Sequence, residues 1–203
     1  ILGFRVDLGW FGNVLAAVYV VWLLNLYNFM DGIDCIASIE TITVCLAAAL
    51  LTSFLTLTQS VWLLPMILAF SVAGFLFWNI PPAKIFMGDV GSSFLGLILG
   101  VLSIQVAWEF PQMFWVWMIL LGVFIVDATL TLFCRIIKGA KIYEAHRSHA
   151  YQVAARYYHS HKVVSLAVGL INLLWLFPVG YLVSKQWIDG LSGVLIAYVP
   201  LVA

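Results

Sequence analysis

The stretch "WFGNVLAAVYVVWLLNLYNFMDGID", residues 10–34, decides how this chain folds. Its first part, Trp10 to Leu26, is an almost unbroken apolar run. It leads into Asn25, Asn28, Asp31 and Asp34, one oxygen-bearing side chain every three residues. A helix crossing a bilayer needs about 20 apolar residues. Ionisable groups are costly in lipid, so an acidic cluster at the end of such a run is a functional-site hypothesis from the outset.

Five further apolar runs follow: Ile36 to Leu57, Val61 to Trp78, Ser92 to Trp108, Met113 to Cys134 and Val163 to Val183, with a seventh, Gly190 to Ala203, too short for a full span. The 203 residues are 65% hydrophobic and 9% charged, with a mean hydropathy of +1.10, well above the range of soluble domains. The expectation is an all-α, polytopic transmembrane helical bundle of about six to seven spans, in one domain covering residues 1–203. Cys35, Cys45 and Cys134 form no CxxC pair and read as reduced packing residues. The chain starts at Ile1, has no methionine before Met30 and shows no signal peptide, so a fragment of a longer protein is expected.

The connections alternate in charge. Residues 56–60, 109–112 and 184–190 carry one basic residue, Lys185, whereas residues 28–34, 79–89 and 135–162 carry Lys84, Arg135, Lys138, Lys141, Arg147, Arg156 and Lys162. The positive-inside rule puts the second set in the cytoplasm. The acidic cluster, the Gly88-Asp89 loop and all four histidines (His146, His149, His159, His161) then share one face. Convergence on one side fits a catalytic surface better than a pore, which needs polar groups through the membrane depth.

Each constellation has a plainer alternative. On a continued helix Asn28, Asp31 and Asp34 share a third of the circumference and suit a hard cation or a nucleotide; a helix-end cap with Gly32 closing the turn is the alternative. In "PPAKIFMGDVGSS", residues 81–93, Pro81 and Pro82 stop a helix and Lys84 supplies a cation. Gly88 and Gly91 flank Asp89 to admit a ligand, and Ser92 and Ser93 open the next helix. A plain capped loop is its alternative. In the 135–162 loop His146, Arg147 and His149 are placed to clamp a pyrophosphate. Zinc binding together with His159 and His161, or contact with anionic headgroups, competes with that reading. Asp127 falls eight residues before Arg135, about 12 Å into the fifth span at helical rise, and its partner, a basic residue or backbone amides, is open; Glu40 enters the second span within reach of Lys84.

Taken in order, "NLYNFMDGID", "PPAKIFMGDVGSSFLG" and "HRSHAYQ" resemble the polyprenyl-phosphate N-acetylhexosamine-1-phosphate transferases, glycosyltransferase family 4, from about Trp10 through Gln152. The histidine loop looks most like that of bacterial members that start O-antigen or similar surface glycans. The resemblance implies a multi-span enzyme of the bacterial inner membrane, its site on the cytoplasmic face. It would use Mg2+, with Mn2+ as a substitute, to join a UDP-N-acetylhexosamine to undecaprenyl phosphate. It implies Asn28 and Asp89 at the metal, Asp31 beside it, Asp34 near the uracil, and His146, Arg147 and His149 on the pyrophosphate and sugar. Asn25 and Lys84 join Asp34 among the substrate-binding residues. No nucleic-acid partner is expected, and a homodimer is compatible with this reading.

Two departures stand out. The family's adjacent aspartate pair is absent from this chain, so the chain alone is expected not to turn over, and Cys35 stands where the family's "DGIDG" has glycine. The rivals from other classes are a membrane transporter, which predicts ionisable groups near the midplane of several spans, and a non-catalytic membrane subunit.

Overall fold

The computed structural model describes residues 9–56, 60–139 and 148–202. His146 and Arg147 lie outside the described residues. Every regular element among the described residues is a helix, with no strand. They comprise α1 (Gly9–Met30), α2 (Ile36–Ser53), α3 (Leu63–Asn79), α4 (Gly88–Glu109), α5 (Gln112–Leu120), α6 (Gly122–Ile137), α7 (Ala150–Tyr158), α8 (His161–Ile171), α9 (Phe177–Ser184) and α10 (Gly190–Val202). Five stretches are long and apolar enough to cross a membrane: α1, α2, Ser60–Asn79, α4 and the continuous His161–Ser184 unit that joins α8 to α9; the α5–α6 pair makes a sixth if its bent halves count as one span. This is a multi-pass membrane protein with an all-α bundle, as the hydropathy pattern required.

Helix α2 is the hub. Two-thirds of its residues are buried, against four of the 22 in α1, which turns most of its surface outward. Its small residues Ala37, Ser38, Ala47, Ala48 and Ala49 let α3, α8 and α5 approach. In lipid there is no hydrophobic drive between helices, so close packing of small residues has to do this work. The same device joins α1 to α4. Gly96 faces the Leu23 carbonyl directly, and a β-carbon at Gly100 would stand 3.3 Å from Val20 Cγ2.

The fifth apolar run is not one straight span. It breaks at Leu121, and α5 and α6 meet at 70°. Leu121 has φ −80° and ψ 7°, outside the helical region, and Gly122 leaves room for Tyr198 and Leu176 in the corner. Tyr198 Oη donates to the Met118 carbonyl at 2.7 Å at the end of α5, satisfying backbone beside the kink. Asp127 and Arg135 both lie on α6, beyond the bend, so their eight-residue separation along the helix is kept while α6 itself turns 70° away from α5.

The span from His161 to Ser184 carries a π-helical turn at Asn172–Leu176, just ahead of Pro178, whose ring supplies no amide hydrogen to the helix. The wide turn aims Asn172 at α2, where its Nδ2 donates to Glu40 Oε2 at 2.7 Å and to Thr43 Oγ1 at 2.8 Å. Glu40 is fully buried, and its partner is Asn172 rather than Lys84. The Lys84 ammonium lies 5.3 Å over the Trp78 ring.

Candidate active site

Helix α1 stops at Met30, with Asp31 N donating to Tyr27 O at 3.1 Å as the last helical bond. Asp31 and Asp34 therefore lie on a tight turn, not on the continued helical face expected from their spacing. Cys35 ends that turn at φ +67°, a left-handed conformation in which a β-carbon is strained. That geometry suits the glycine that the resemblance implies here better than it suits cysteine. Here Asn79 compensates. Its Oδ1 accepts from Cys35 N at 2.9 Å, and its backbone carbonyl accepts from Cys35 Sγ at 3.4 Å. Burial and Asp34 push the thiol up to about 11.

Asn79 also donates through Nδ2 to Ile85 O at 2.9 Å, so one buried amide ties the Asp31–Asp34 turn to the loop that leads to Asp89. That role was not read from the sequence, where Asn79 only stands two residues ahead of a double proline. Asn79→Ala leaves the Cys35 amide and the Ile85 carbonyl without this partner. A loss of about 2 kcal/mol in stability is expected, with a larger fall in ligand affinity than Ala at exposed Lys84 gives, measured by thermal unfolding and titration of the complete protein.

On the other side, α4 begins at Gly88, φ +68°, four residues earlier than Ser92, so Asp89 occupies its first turn. Ser92 is not the helix start. Its hydroxyl lies within hydrogen-bond reach of the Gly88 and Asp89 carbonyls, and Asn28 Nδ2 donates to it at 3.4 Å. Asn28 and Asp89, 61 positions apart, are thereby linked through Ser92 across the α1–α4 contact. A first-turn aspartate also adds its charge to a helix end that attracts anions and their counter-cations together.

The carboxylates feel one another. Burial, then Asp89 and Asp34, push Asp31 up from 3.8 to about 7. An acid raised by folding stabilises the fold fully below its unfolded pKa and loses that contribution as pH climbs through the folded value. Without a bound cation, the unfolding temperature is therefore expected to decline between pH 4 and pH 7. Asp31→Asn should flatten that slope, as read by melting curves across this range.

Helix α7 closes over this region. Tyr151 Oη donates to Phe29 O at 3.0 Å and packs on Gly32, where a β-carbon has no room. His149 is buried, stacks on Tyr151 and sits 3.2 Å from Asp127 Oδ1 through Nδ1. The four-partner environment of Asp127 settles what the sequence left open. Its partners among the described residues are His149, Thr131 and the first amides of α7. From α8, Ser165 Oγ donates to Asp34 O at 2.8 Å, and His161 Nδ1 lies 3.3 Å from the Asp34 carboxylate. His161 thus attaches to the acidic turn, and among the described residues no three His, Cys, Asp or Glu side chains form a zinc-type cage.

Other expected site residues stand apart. Asn25 turns its Nδ2 back to Val21 O at 2.7 Å and lines a shallow groove on α1 with Ala17, Val18, Val21 and Trp22. Lys84 is held to Trp78. Asn28, Asp31, Asp34, Asp89 and His149 are the expected residues that the fold gathers at one end of the bundle.

The glycosyl transferase family 4 model matches residues 1–107, just over half of the chain, including both acidic loops. The chain is 32% identical over 188 residues to a probable undecaprenyl-phosphate N-acetylglucosaminyl 1-phosphate transferase of Bacillus subtilis, covering 90% of this chain and 51% of that protein. It is 41% identical over 110 residues to the phospho-N-acetylmuramoyl-pentapeptide-transferase of Moorella thermoacetica, covering 54% and 34% respectively. The enzyme of that name from Staphylococcus carnosus is 31% identical over 172 residues, covering 78% and 51%. The chain spans about half the length of these curated relatives or less. An acidic turn, an aspartate at the head of α4 and the buried His149 at one end of a membrane bundle, together with these matches, show that the chain belongs to glycosyl transferase family 4.

Proposed function

We propose that the complete protein transfers N-acetylhexosamine-1-phosphate from a UDP-sugar to undecaprenyl phosphate, in the cytoplasmic leaflet of a bacterial inner membrane, as a first step of surface-glycan synthesis. The observation that carries this reading is the joining of two distant acidic loops by Asn79 and by the Asn28–Ser92 contact. Such a concentration of carboxylates opposes anion binding unless a cation intervenes, and among the described residues neither Asp31 nor Asp89 pairs with lysine or arginine.

The donors fit Mg2+. Asp89, Asp31 and the Asn28 carbonyl are hard oxygen groups, too few to enclose an ion. Mg2+ characteristically takes one or two carboxylates and fills its remaining positions with water and substrate phosphates. When bound, the ion neutralises phosphate charge and polarises the phosphorus under attack. The chain's own residues supply position. Asp34, held by Ser165 and His161, fixes the nucleoside end, and His149, held by Asp127, closes over the pyrophosphate. The lipid phosphate oxygen forms the new bond to the sugar-proximal phosphorus, the bridge to UMP breaks, and UMP leaves with the electron pair. Phosphoryl transfer demands little beyond such placement and charge compensation. The "HRSHAYQ" loop favours an O-antigen-type pathway over peptidoglycan, with UDP-N-acetylhexosamine as the donor class.

The test is UMP release and lipid-linked sugar formation by the complete protein in nanodiscs, with UDP-N-acetylhexosamines, undecaprenyl phosphate and Mg2+ titrated separately. No product with any hexosamine donor, beside solute flux in sealed vesicles, would transfer the assignment to transport. Fully buried Glu40, committed to Asn172, argues against a water-lined ion path through α2.

A further inference from the structure

We propose that Asp127 is a positioning residue for His149, fixing which ring nitrogen carries the proton and clamping the ring over the acidic turn. Its Oδ1 meets His149 Nδ1 at 3.2 Å and accepts from Ala150 N at 3.0 Å; its Oδ2 accepts from Tyr151 N at 3.0 Å. Thr131 Oγ1, one turn along α6, donates to Oδ1 at 3.1 Å. Two backbone amides and one hydroxyl can only donate here, so the aspartate acts as the acceptor for all of them. Beside such an acceptor, Nδ1 is the protonated nitrogen of the neutral ring. Nε2 is then the atom that changes role, accepting in the neutral ring and donating in the imidazolium.

The clamp reaches the site through packing. His149 stacks on Tyr151 with ring centroids 5.7 Å apart, and Tyr151 Oη donates to Phe29 O, two residues before Asp31. Asp127 also satisfies the first amides of α7, so the loop helix and the histidine are set by one carboxylate from the bent span. Asparagine has the same shape but cannot replace it. Whichever way its amide turns, an NH2 group faces either the Tyr151 amide or the His149 and Ala150 donors.

The inference rests on His149 belonging to the transfer site, and its test separates the two ideas. In the complete protein with 15N-labelled histidine, the His149 signal, assigned by its absence in His149→Gln, is expected to show hydrogen on Nδ1 in the neutral ring. Hydrogen on Nε2 in the wild-type protein would overturn the proposal without recourse to any variant. Asp127→Asn should redistribute the ring between tautomers and lower kcat on the order of 10–100-fold, the range for carboxylates that orient a histidine. It should add nothing further in a His149→Gln background. An unchanged tautomer in folded Asp127→Asn, or an equal loss in both backgrounds, would reduce Asp127 to a helix clamp. Turnover left intact by His149→Gln would overturn the underlying role of the ring in transfer.

Discussion

Asp89→Asn in the complete protein is expected to lower turnover by about two to three orders of magnitude while leaving insertion and thermal stability nearly unchanged. Asp89 is exposed in the first turn of α4, so its side chain makes little contribution to packing. Its value lies in charge. Asparagine retains an oxygen of similar position but removes the negative charge that holds a divalent cation against phosphate. A second effect travels with it: Asp89 is one of the neighbours that raise Asp31, so the variant should let Asp31 ionise at lower pH. Steady-state kinetics with Mg2+ titration and a melting curve in the same detergent provide the check. Near-normal kcat would remove Asp89 from the reaction, and collapse of the fold would mean that the residue is structural.

The next largest effect is expected at the contact between α1 and α4. Gly96→Val should destabilise the bundle by about 3 kcal/mol or more and abolish turnover, because the new side chain has only the Leu23 backbone to displace. Helices α1 and α4 would separate, and with them Asn28 and Ser92. Gly100→Ala makes a graded control. Its β-carbon would meet the Val20 and Leu23 side chains at 3.3–3.4 Å, a contact that small shifts relieve, so a cost below about 1.5 kcal/mol is expected. Equal melting temperatures for the two variants would show that α1 and α4 are not held by this contact.

The spans were legible because hydrocarbon imposes one rule along the whole chain: backbone groups must bond internally and side chains must be apolar. Parity of the connections then brought the Asp31, Asp89 and His149 segments to one end, as the structure does. The bends were not legible. Nothing in "LLGVFIVDATL", residues 120–130, distinguishes a kink at Leu121 from a straight span; Gly122 matters only once Tyr198 arrives from α10, a partner 76 positions away. Helix ends were also hard to place, since Asp31 at three-residue spacing from Asn28 continues a helix as readily as it leaves one. The Gly96-x3-Gly100 spacing was a usable signal for close helix packing. Asn79 gave none, and Asp127 showed only that a carboxylate within a span needs a partner, because an amide or carboxylate acquires such a role only from the amides that folding aims at it.

The left-handed turn at Cys35 gives the molecule an internal stopwatch. Its sulfur is covered and tethered to the Asn79 carbonyl, Cys45 is sealed within α2, and Cys134 is exposed on α6 beside Arg135. A thiol reagent should therefore consume Cys134 at once and then wait at Cys35 until the two acidic loops part. The slow phase would clock the unlatching of the site in unmutated protein, and any ligand that bridges those loops would be seen as a lengthened delay.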